Sequence, residues 1–208
     1  RVGEMDGFGY MEYIVPGLIM MSVITNSYGN VVSSFFSSKY QRSIEEMMVS
    51  PVSNWVILAG YVGGGVLRGL FTGLIVTIVA SFFVDLQIHN FWVVISVVLL
   101  TSILFAIGGL INAVFAKKFD DVAIVPTFIL TPLTYLGGVF YSISLLPEFW
   151  QGVSKLNPII YMVNAFRYGF LGKSDIQIGI AFAIILVFIA ILTSFAMYLL
   201  NRGIGLRA

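Results

Sequence analysis

The sequence predicts an all-α, polytopic membrane protein, and three observations carry that prediction. Hydrophobic residues make up 59% of the chain and charged residues 10%, with a mean hydropathy of +0.98, whereas soluble domains carry roughly 25% charge. Apolar runs long enough to cross a bilayer recur along the chain, separated by short polar loops. Within those runs glycine and small polar residues recur at steps of three or four, the pattern by which helices pack on one another in lipid. No polar stretch is long enough to build a soluble domain, so residues 1–208 read as one membrane domain.

The same composition excludes several function classes. A net charge of +1, with Lys and Arg gathered at span ends, gives no basic field for nucleic acid. Without cysteine there is no disulfide, thiolate metal site or cysteine nucleophile, and the single histidine, His89, has no partner cluster for a metal. No G-x-x-x-x-G-K-[ST], H-E-x-x-H or G-x-S-x-G pattern is present, so nothing here cradles ATP phosphates and no enzyme is expected. Any ATP-driven role needs a second polypeptide.

Residues 1–12 form a polar lead, and 13–36 a first span of roughly 36 Å at helical rise. Along that span Ser22, Asn26, Asn30, Ser33 and Ser37 fall on one face, beside Thr25 and Gly29. That face should avoid lipid, either as a pathway lining or as a helix seam held by small residues and hydrogen bonds. Residues 37–55 carry Lys39, Arg42, Glu45 and Glu46 at helical spacing, with Met47, Met48 and Val49 as an apolar edge and Ser50-Pro51 as a stop. They read as a short amphipathic helix on the membrane surface, or as an ordinary charged interfacial loop.

Residues 56–84 form the next span, in which Gly65, Gly69 and Gly73, and likewise Gly60 and Gly64, would admit another helix closely. Arg68 lies among these glycines, where a charge facing lipid costs roughly 2.5 to 3.5 kcal/mol. It must snorkel, pair or face water, and a snorkelling or structural role is expected ahead of a substrate contact. A turn at 85–90 leads into a third span at 91–115, with Trp92 as an interface anchor. A charged loop at 116–121, with Lys117, Lys118, Asp120 and Asp121, precedes a crossing at 122–141.

The stretch 126–172 organises the chain. It begins as an apolar helix carrying Pro126 and Pro132, breaks at Gly137-Gly138, passes a polar patch at 146–155, restarts at Asn157-Pro158 and stops at Gly172. Its second half is too interrupted to cross and too aromatic for a solvated linker, which suggests a helical hairpin that dips into the membrane and leaves on the same side. Such a hairpin is either a pathway mouth or an interfacial anchor. Glu148, Lys155 and Arg167 are its polar handles, and Trp150, Tyr161 and Tyr168 its interface aromatics. A last span at 176–200 ends in a tail at 201–208.

Leu146-Pro147, then Asn157-Pro158, then Arg167 and Gly172 resemble the end of permease subunits of the ABC-2 export family. The resemblance covers essentially the whole chain and implies an ATP-driven exporter that moves an amphipathic or hydrophobic substrate, such as a lipid-linked glycan, a lipid or a drug-like molecule. It implies a coupling helix docking on an ATPase, carried over onto Arg42, Glu45, Glu46, Met47, Ser50 and Pro51, with Val52 completing the family's "[ST]-P-V" turn. Ser22, Asn26, Asn30 and Ser33 become pathway candidates, and Pro147, Glu148, Asn157, Pro158 and Arg167 the re-entrant hairpin. The implied partners are a second permease copy, forming a homodimer, and a separate ABC ATPase subunit that holds ATP and Mg; no cofactor is expected on this chain. Family members carry six spans, the first preceded by an amphipathic helix, so an N-terminal truncation ahead of Arg1 is expected. Two rivals remain: an ion-coupled carrier, which would need midplane acids, and a scaffold on the same fold.

Five crossings put the chain ends on opposite sides of a bacterial inner membrane. Lys39, Arg42, Lys117, Lys118, Arg202 and Arg207 fall in short loops on one side; Arg1, Lys155, Arg167 and Lys173 are spread over longer ones on the other. The positive-inside rule then places the coupling stretch and C-terminus in the cytoplasm and the hairpin outside.

Overall fold

The computed structural model describes residues 7–206, which are predominantly helical; Arg1 and Arg207, counted above for orientation, lie outside them. Helix α1 spans Tyr10–Tyr40, and its first turn is held by the Glu12 carboxylate, which accepts the Gly9 N–H at 3.2 Å. The helix outruns its expected end by a full turn, because no breaker intervenes before Gln41; the side chains of Ser34 and Ser38 bond back onto its carbonyls. The chain then turns sharply at Arg42, the one non-glycine described residue in the left-handed region (φ 62°), and α2 runs over Ser43–Val49. Residues 37–55 are therefore not one amphipathic helix. They comprise the last turn of α1, the break, a two-turn α2, and an extended link to α3 at Asn54–Ser81, where Ser53 caps the first turn.

Helix α4 covers Phe91–Phe115, capped by the Asn90 side chain, which accepts the Val93 N–H at 3.2 Å. Helix α5, Phe119–Val139, widens into i→i+5 turns at Pro126–Leu130 and Tyr135–Val139. At the first of these the cause is local: Pro132 has no N–H for the preceding turn, and the Thr131 N–H reaches back to the Pro126 carbonyl. Gly138, at φ 74°, then breaks the helix. A short α6, Glu148–Ser154, precedes α7, Pro158–Leu171, which ends on Gly172 in the left-handed region. Helix α8, Ile178–Arg202, closes the bundle.

By length and composition α3, α4, α5 and α8 can cross a membrane. Helix α1, at 31 residues, is the longest of the set and also the most interrupted by Ser, Thr and Asn. It is nonetheless the hub of the packing, lying against α4, α3 and α7, while α4 packs on α7 and α8. Glycines set these approaches. A Cβ at Gly65 would stand 2.5 Å from Val31 Cγ2, one at Gly73 2.8 Å from Val23 Cγ2, and one at Gly109 2.5 Å from the Tyr28 carbonyl oxygen; one at Gly69 would overlap Ser27 Oγ. The second expected glycine seam behaves differently: no atom lies within 4 Å of a Cβ built at Gly60, and Gly64 meets only the Asn30 carboxamide.

Candidate functional site

The polar face of α1 does not form the seam with α3. Val23, Ser27 and Val31 face the α3 glycines, whereas Thr25, Asn26, Asn30, Ser33 and Ser37 line an open groove of about 510 Å³ on a different face. Several of these side chains satisfy themselves on their own helix: Thr25 Oγ1 donates to the Met21 carbonyl at 2.9 Å and Asn26 Nδ2 to the Ser22 carbonyl at 3.0 Å. Ser22 lies one turn beyond the groove and is half-buried. The far wall comes from α3, whose exposed Arg68 donates from Nη1 to Asn30 Oδ1 at 3.4 Å. Arg68 sits near the midpoint of α3, about 20 Å from either end at helical rise.

At the end of the bundle where α1 stops, α2 turns one apolar side inward and its charges outward. Ile44 is fully buried and Met47 half-buried, while Arg42, Glu45 and Glu46 are exposed. Ser50 closes the helix, its hydroxyl donating to the Met47 carbonyl at 2.7 Å, and Pro51 and Val52 are exposed in the link that follows. Lys39, grouped with these charges in the sequence, instead belongs to α1 and is buried. Its Nζ donates to the carbonyls of Val114 and Ala116 at 2.7 and 2.8 Å, satisfying the C-terminus of α4.

At the opposite end, where α1 begins, α7 is wedged among α1, α4, α5 and α8 with Ile159, Met162, Val163, Phe166 and Phe170 buried. Asn157 caps it: Oδ1 accepts the Ile159 N–H at 3.0 Å while Nδ2 donates to the Leu133 carbonyl of α5 at 2.6 Å. Pro158 takes the first helical position, where its missing N–H costs nothing. Arg167, expected as a polar handle, is 2% exposed and holds backbone instead, with Nη2 donating to the terminal Gly138 carbonyl at 2.6 Å. Pro147 and Glu148 remain exposed at the start of α6.

Asp175 adds a latch that spacing did not reveal. It accepts from the Ser142 hydroxyl at 3.0 Å and the Ile143 N–H at 3.1 Å, and its own N–H donates to Asn164 Oδ1 at 3.2 Å. The loop after α5, helix α7 and the approach to α8 are thereby joined.

A family model described as "ABC-2 type transporter" matches residues 2–171, ending on the last residue of α7. The chain belongs to the ABC-2 type transporter family. This ABC-2 chain is 59% identical over 209 residues to the inner membrane transport permease YadH of Escherichia coli (strain K12), a match that covers all of the chain and 81% of that protein. It is 22% identical over 180 residues to nodulation protein J of Rhizobium meliloti (strain 1021), covering 86% of the chain and 69% of the relative. With nodulation protein J of Rhizobium leguminosarum bv. viciae the identity is 21% over 191 residues, covering 91% and 74%. The ABC-2 match thus takes in the groove of α1 and α3, helix α2 and the buried α7, and stops short of α8.

Proposed function

We propose that this chain is the permease subunit of an ATP-driven exporter in a bacterial inner membrane, working as a homodimer with separate ATPase subunits that hold ATP and Mg. The observation that carries this reading is the presentation of α2, with Ile44 rooted in the core and Glu45 and Glu46 turned out beside the exposed turn at Pro51 and Val52. Such a helix is at once rigid and available. A push on α2 passes through the break at Arg42 into α1, which is packed on α3 and α4 and carries the polar groove. Helices α1, α3, α4, α5 and α8 are the five crossings, with α2 and the C-terminus cytoplasmic and α6 and α7 a re-entrant hairpin on the outer side. The polar face of α1 lines the path, and α7 stands over it. An amphipathic or hydrophobic cargo suits a path that opens beside the apolar surface of α3, where Leu67 and Phe71 are exposed.

The test is purification of the full-length protein in mild detergents followed by mass spectrometry. Recovery of an ATPase subunit in stoichiometric amount sustains the reading. Its absence under every detergent tried overturns it and favours a carrier or a scaffold on the same fold.

A further inference from the structure

We infer that the groove between α1 and α3 receives the oxyanion head of an amphiphile, a phosphate or a carboxylate held by the Arg68 guanidinium. The inference rests on the exporter reading for the cargo's passage, but the site itself stands on three features of the chain. The first is depth and exposure. Arg68 lies midway along α3, exposed, and the carboxamide oxygen of Asn30 at 3.4 Å is its hydrogen-bond partner among the described residues. A guanidinium offers five N–H donors in a planar fork that matches a carboxylate or phosphate, so one long bond leaves most of that capacity in hand.

The second feature is where the acids are. Glu12 sits in the first turn of α1, Glu45 and Glu46 on α2, Asp85 in the α3–α4 turn, Asp120 and Asp121 in the first turn of α5, Glu148 at the start of α6, and Asp175 in the latch before α8. Every one is at an end of the bundle. A second copy in the same membrane orientation carries the same distribution, so it brings none of these carboxylates to the level of Arg68. Among the described residues no carboxylate stands at the level of Arg68, which leaves its guanidinium open to an anionic ligand.

The third feature is the shape of the surroundings. Asn26, Asn30 and Ser33 turn neutral donors and acceptors toward the groove, and its floor is open, since a Cβ on Gly29 meets nothing within 4 Å. On the same helix as Arg68, Leu67 and Phe71 are exposed apolar surface. A head in the groove with a tail along Leu67 and Phe71 satisfies both, which a bare inorganic anion does not. The occupant is a bilayer phospholipid or a transported amphiphile, and the chemistry of the head is the same.

The experiment uses the full-length protein in dodecyl maltoside and two fluorescent probes that share one tail, NBD-labelled dodecyl phosphate and NBD-labelled dodecanol, read by anisotropy. The native protein is expected to bind the phosphate probe at least tenfold tighter than the alcohol. Arg68→Gln should erase that difference, and Ser33→Trp, at an exposed position, should fill the groove and weaken the phosphate probe about tenfold with the charge intact. Equal affinity for the two probes in the native protein, or full discrimination retained by Arg68→Gln, overturns the inference. In nanodiscs, displacement of the probe by phosphatidylglycerol assigns the site to bilayer lipid, and failure to displace assigns it to a transported amphiphile; both sustain it. Equal affinity for the two probes in a native protein that still brings its ATPase sinks the site and spares the exporter reading. Arg68-dependent binding without any ATPase does the reverse.

Discussion

The guanidinium carbon of Arg167 lies 3.9 Å above the centroid of the Tyr13 ring, and its Nε donates to the carbonyl of the same tyrosine at 3.3 Å. With the bond to Gly138, one buried side chain joins the middle of α7 to the start of α1 and the end of α5. Replacing Arg167 with Gln removes the cation and strands the Gly138 carbonyl, at a cost of about 3 kcal/mol given the usual worth of charged hydrogen bonds. Arg167→Lys keeps the charge without the fork and should fall between. Unfolding of the purified protein in micelles measures both, and a native midpoint for Arg167→Gln would remove the clamp from the description of α7.

The glycine contacts separate seam from surface. Gly109→Ala drives a methyl against the Tyr28 carbonyl, a backbone atom that cannot swing aside, and should cost about 1 to 3 kcal/mol as overpacking does. Gly60→Ala meets open space and should be neutral, or stabilising by up to roughly 1 kcal/mol through helix propensity. The pair is compared by thermal unfolding under identical detergent conditions.

Reversing the outward charges of α2 tests its docking. In Glu45→Lys/Glu46→Lys both side chains are exposed, so folding and dimerisation should survive while most of the stimulation of the partner's ATPase activity is lost. Undiminished stimulation in a reconstituted complex assigns the docking to another surface.

Orientation is read by thiol labelling, for which residues 1–208 hold no competing cysteine. A cysteine at Gly152, exposed on α6, should react with an impermeant maleimide in intact cells, and one at Val49, exposed at the end of α2, only after the inner membrane is opened. The opposite pattern inverts the bundle.

The fold was legible in the sequence wherever its signals were local. Asn157-Pro158 announced the start of α7, Gly172 its stop and the Gly137-Gly138 pair the end of α5, because capping and breaking depend on neighbours a few residues away. The polar face of α1 was equally plain from spacing, although not whether it met a helix or an open groove. What stayed hidden were contacts between distant segments. Lys39 looks like any interfacial cation, yet its partners are more than seventy residues downstream, and the partner of Arg167 lies 154 residues upstream. Asp175, the acid that latches three elements together, stands in a loop with no motif around it.

The position of Arg68 halfway along α3 also has an electrical side. A charge carried across the whole membrane exchanges about 2.3 kcal/mol with a potential of 100 mV, and one held halfway senses roughly half of that drop. An inside-negative potential therefore tugs on the bare guanidinium toward the cytoplasm. Pairing it with a singly charged oxyanion makes a neutral couple on which the field exerts no net pull. With the inferred anion bound, a loaded groove would shift between two faces without electrical work, and an empty one would not.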